Sequence, residues 1–82
     1  MLEGRVAPRY RVNKPAKINY GGDEYHCIVR DISTTGAALE FSDSIAIFRS
    51  AKAFTLVIPE DRLRLSCCVV WQRGYKMGVM FD

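Results

Sequence analysis

Leu63, Leu65, Cys67, Val69 and Trp71 alternate with Arg64, Ser66, Cys68, Val70 and Gln72, the longest period-two pattern in the chain. Successive side chains of a strand point to opposite faces, so the pattern predicts a strand over 63–72 with the first set on its apolar face. Arg73-Gly74 predicts a hairpin turn into Tyr75–Phe81, where Met77, Val79 and Phe81 continue the apolar face. Earlier in the chain, Ala16–Tyr20 alternates small or apolar with polar residues, and Gly21-Gly22-Asp23 supplies a turn into Tyr25–Arg30. Tyr25, Cys27 and Val29 share one face of that second strand, opposite His26, Ile28 and Arg30. Ala37, Leu39 and Phe41 point inward from a third strand, and Phe54–Ile58 is a β-rich run stopped by Pro59. Ser42-Asp43-Ser44 offers capping side chains before Ile45–Phe48, which predicts at most one helical turn or a loop over one end of the core. Six short strands with almost no helical periodicity predict an all-β protein, a closed or nearly closed antiparallel barrel without exposed sheet edges.

A length of 82 residues holds one core, and 49% hydrophobic with 26% charged residues is an ordinary globular composition. The prediction is therefore a single domain over 1–82, divided into an arm over 1–14 and a barrel over 15–82. No apolar run reaches the roughly 18 residues needed to cross a bilayer, and the front lacks a secretory signal. These features predict a cytoplasmic protein with no direct membrane insertion. Cys27, Cys67 and Cys68 suit reduced, partly buried thiols, because two are adjacent and one is left over. With His26 they do not converge as metal ligands, so neither a metal nor a cofactor is expected.

The net charge of +3 is concentrated at the front, where Arg5, Arg9, Arg11, Lys14 and Lys17 face only Glu3. Residues 1–14 show no strand periodicity and contain Pro8, which predicts a mobile cationic arm suited to an anionic ligand. A solvated, frayed terminus is the other meaning of such a stretch. Later charges are mixed, so the body is not a uniformly basic nucleic-acid surface. Candidate chemistry lies between the strands. In Arg5-Val6-Ala7-Pro8-Arg9 two guanidiniums stand four residues apart, and such forks pair with phosphate oxygens and lie flat on purines. In Asp31-Ile32-Ser33-Thr34-Thr35-Gly36, Asp31 can accept from a guanine edge and Ser33 can donate to a phosphate or ribose oxygen. Gly36 permits a positive φ or a close backbone approach. An Asx-turn finished by a glycine explains the same loop without a ligand. Ser33 beside Asp31 without a placed histidine is not a catalytic cluster, so an enzyme is not expected.

Taken together, these two segments resemble the signature of the PilZ domain family, RxxxR followed one hairpin later by [DN]xSxxG. Arg5 and Arg9 match the first motif, and Asp31, Ser33 and Gly36 match the second. Val69-Val70-Trp71 and Gly78-Val79-Met80-Phe81 look like the family's closing hairpin. The resemblance implies a six-stranded barrel and a non-catalytic receptor for cyclic di-GMP. In such a receptor the arm of Arg5 and Arg9 clamps the nucleotide over Asp31, Ser33 and Gly36 and signals to a downstream protein partner. Gly4 stands where many relatives place a further arginine, which implies one ligand molecule instead of a stacked pair, or weaker binding. Many relatives continue into a C-terminal helix, whereas this sequence stops at Asp82. Either Ile45–Phe48 closes the core, or the domain associates with itself or a partner. The alternative function is a protein-interaction adaptor without useful nucleotide affinity. A small RNA-binding barrel ranks last, because Tyr20, Tyr25 and Phe41 follow the core pattern instead of forming a stacking surface.

Overall fold

The computed structural model describes residues 8–43 and 52–82. Its strands are β1 (Tyr10–Tyr20), β2 (Asp23–Ile32), β3 (Gly36–Glu40), β4 (Ala53–Ile58), β5 (Leu63–Arg73) and β6 (Lys76–Phe81). They form a closed antiparallel barrel in the order β1-β2-β3-β6-β5-β4. Closure satisfies the backbone groups that an open sheet would leave at its edges. The Ile45–Phe48 turn expected from the sequence lies outside the described residues.

Alternation fills the interior. Ile18, Val29, Leu39, Leu56, Ile58, Cys67 and Met77 have almost no exposed surface, and they come from all six strands. Ala37, Phe41 and Phe54 complete the packing, with Tyr20, Tyr25 and Phe81 partly buried against it. Burial pushes the Cys27 thiol up to about 12 and the Cys67 thiol up to about 11, so both remain protonated near neutrality. Pro59 ends β4 and opens a 3-10 turn, Pro59–Asp61, from which Arg62 leaves in the left-handed region at φ 56°. Lys14 Nζ donates to Asp61 Oδ2 at 2.6 Å and ties β1 to this turn. That hydrogen bond raises the Lys14 pKa above its ordinary value.

Two expectations are corrected. Tyr10–Lys14, assigned to the arm, belong to β1: Tyr10 pairs with Ile32 and Arg11 with Asp31. The strand was hidden because the half-buried positions of this stretch are Val12 and Lys14, so burial alternates there without an alternation of apolar residues to announce it. The second correction is Trp71, which alternation puts on the same apolar face of β5 as Cys67 and Val69. The β5–β6 register shifts between Val69 and Trp71, so Trp71 pairs with Gly78 and is 43% exposed. One inserted residue flips every side chain beyond it to the other face.

Candidate functional site

The bulges fall close together. Across β1–β2, Val12 and Asn13 stand against Arg30 alone, and in the β2–β3 pairing Arg30 is itself the extra residue. Val70 is the extra residue of β5. Bulges bend their strands and re-aim side chains, and these converge on a surface groove of about 660 Å³. Leu39 and Ala38 of β3 and Val12 of β1 supply its apolar lining. Trp71 gives it an aromatic wall, and Arg11, Asn13, Arg30, Asp31, Glu40 and Lys76 provide polar groups. This volume lies within the roughly 300–1,000 Å³ of ordinary small-molecule sites.

Asp31, at the end of β2, is the carboxylate that joins this groove to the chain's front. Arg9 Nε donates to Asp31 Oδ1 at 3.1 Å, with the two side chains 50% and 29% exposed. Asp31 pairs across the ladder with Arg11, yet its hydrogen bond goes to Arg9. Arg30 takes a different partner: its Nε donates to Glu40 Oε1 at 2.7 Å and its Nη1 to Asn13 Oδ1 at 2.6 Å. This pair lines the groove, and its hydrogen bond holds the Glu40 carboxyl below its ordinary value of 4.5. Arg11 and Lys76 form no ion pair among the described residues.

A carboxyl whose folded pKa is depressed stabilises the protein above its unfolded value, and that contribution disappears as pH falls through the folded value. Comparing the acid limbs of wild type and Glu40→Gln checks this. Wild type is expected to be the more stable near neutrality, with the difference vanishing at strongly acidic pH. A difference that does not change with pH would remove the Arg30–Glu40 pair as its source.

Ser33 is buried in the bend between β2 and β3. Its amide donates to the Gly36 carbonyl at 2.8 Å, while its hydroxyl oxygen accepts from the amides of Thr35 at 3.1 Å and Gly36 at 3.2 Å. The hydroxyl is thus engaged inside the turn, where it holds the chain's reversal next to Asp31. Ser33→Ala leaves two amides without their acceptor and is expected to lower stability by about 1–2 kcal/mol in urea denaturation, with no ligand present. An unchanged midpoint would mean that water or backbone replaces these bonds.

Gly36 has no positive φ, in contrast to Gly21, Gly22 and Gly74. What requires glycine is a close approach of another kind, because a Cβ at Gly36 would collide with the Val79 carbonyl oxygen of β6. The residue opens β3 opposite Met80 and seats that strand on β6.

Of the sequence-predicted set, Arg9 and Asp31 are in direct contact, and Ser33 and Gly36 build the bend beside them. Arg5 lies outside the described residues. Sequence reasoning missed the groove wall of Trp71, Arg11, Arg30, Glu40 and Lys76. The one available signal was the lone tryptophan, and alternation placed it with the apolar set of β5.

No curated protein matches this sequence. The family model described as PilZ domain matches residues 3–82. That span contains both motifs, the closed barrel and every residue that lines the groove. The chain therefore belongs to the PilZ domain family, known as a family of cyclic di-GMP receptors.

Proposed function

We propose that this domain is a non-catalytic receptor that binds cyclic di-GMP where Arg9 meets Asp31 and passes the signal to a protein partner. The observation that carries the reading is the placement of the two motifs: Arg9 and Asp31 stand 22 residues apart in sequence yet share a hydrogen bond beside an open groove. The ligand has two anionic phosphates and two planar guanines. Arg5 and Arg9 supply guanidinium forks for the phosphates, and Asp31 accepts from a guanine edge. Arg11 and Lys76 add cations from the barrel wall; neither makes an ion pair among the described residues, although Lys76 stands opposite Glu40 and Arg11 opposite Asp31. Trp71 offers an exposed ring to a purine.

Asp31 already accepts a hydrogen bond from Arg9. Binding exchanges this exposed pair, worth about 0–1 kcal/mol, for charge-assisted contacts to the ligand. The exchange is what allows the arm to close over 31–36 and to present a surface that exists only in the bound state. Tyr10–Lys14 take no part in that closure, because they are held in β1.

Calorimetric titration with cyclic di-GMP, with GTP and GMP as controls, tests the reading. Saturable heat for cyclic di-GMP and far weaker binding of the linear nucleotides are expected. No heat and no chemical-shift change at high ligand concentration would favour the adaptor reading, in which the barrel binds only protein.

A further inference from the structure

The groove depends on where the Trp71 ring lies, and Gly78 is the residue that decides this. The two face each other across β5 and β6, at the point where the bulge at Val70 has turned Trp71 outward. A Cβ built on Gly78 would overlap the indole at Nε1, Cε2 and Cδ1. The ring therefore lies over the Gly78 backbone in space that any other residue would fill. Gly78 has no positive φ, so its backbone conformation does not require glycine. On its other side Gly78 pairs with Ala38, the next smallest residue, which also lines the groove.

We propose that Gly78 is a positioning residue of the groove: its missing side chain lets the Trp71 indole lie flat across β6, and this placement sets the affinity for a planar anionic ligand. The inference rests on the function proposed above for its ligand, but its geometric half is independent of any ligand. A half-exposed ring can yield to a new methyl group by swinging outward, whereas a strand backbone cannot. Gly78→Ala is therefore expected to move the ring and leave the barrel closed. A displaced ring no longer shapes the wall, so a base stacked on it loses contact area.

The chain has a single tryptophan, so its fluorescence reports on this ring alone. In the full chain, Gly78→Ala is expected to shift the emission maximum and increase quenching by acrylamide, with an unchanged far-ultraviolet spectrum. Titration with cyclic di-GMP is expected to show affinity reduced about fivefold or more. In a Trp71→Ala background the same glycine substitution is expected to cost no further affinity, because the group it acts through has gone. If Gly78→Ala does not fold, the double variant decides: recovery of folding in the Trp71→Ala background supports the assignment, and failure there overturns it. Emission, quenching and affinity equal to wild type would also overturn it, as would an affinity loss that persists without the indole. If wild type does not bind cyclic di-GMP, the proposed function fails, while emission and quenching still test the Gly78–Trp71 relation.

Discussion

Gly36→Ala is expected to lower the unfolding free energy by about 3 kcal/mol or more, the upper range for forcing a methyl group into a packed interior. The new Cβ would meet the Val79 carbonyl oxygen, with the Met80 Cα and the Val79 carbonyl carbon both 3.3 Å away. None of these atoms can step aside. Gly36 pairs with Met80 and Ala37 with Val79, and the Phe81 amide donates to the Thr35 carbonyl at 2.8 Å. Relieving the clash means parting β3 from β6, which opens a barrel whose stability depends on closure. For a domain of this size the thermal midpoint should fall on the order of 10–20 °C. A midpoint within a degree or two of wild type would show that the strands can slide apart cheaply. The glycine of the second motif is thus assigned to the fold, and any loss of ligand binding in this variant follows from the loss of the barrel.

The opposite separation is expected at Arg9. The Arg9–Asp31 pair is exposed and contributes about 0–1 kcal/mol, so Arg9→Ala should leave the melting temperature nearly unchanged. Charge-assisted hydrogen bonds to a ligand are worth about 1.5–3 kcal/mol each, so the same substitution should weaken cyclic di-GMP binding at least about tenfold. Asp31 can be tested in the same titrations. An asparagine keeps one carbonyl acceptor for a guanine edge, and Asp31→Asn should therefore bind better than Asp31→Ala, with both variants folded. If both lose binding equally and both melt earlier, Asp31 is a structural residue. Unchanged affinity in Arg9→Ala would mean that the arm does not touch the ligand.

Much of this was legible in the residues alone. The barrel follows from alternation and from turn chemistry at Gly21-Gly22, Pro59 and Gly74, all local signals set by the two-residue repeat of a strand. The motif positions were legible too, because residue types at fixed spacing survive without coordinates. Apolar periodicity failed at Lys14, a charged residue on the inward side of β1, and at the bulge of β5. Each bulge adds one residue to one strand, and nothing in Val12-Asn13, Arg30 or Val70 announces it, since a bulge is a property of two strands paired in register. Pairing with β2 took Tyr10–Lys14 out of the arm, and the shifts left Trp71 at the surface and brought Arg11, Arg30 and Lys76 around one groove. The roles of the glycines were equally hidden: Gly36 and Gly78 look alike in sequence, but one faces a carbonyl that cannot move and the other an indole that can. Local repeats and turn residues depend on neighbours along the chain, so they can be read one residue after another. Groove walls, close approaches and the partner of Asp31 depend on neighbours across strands, and those come together only when the barrel closes.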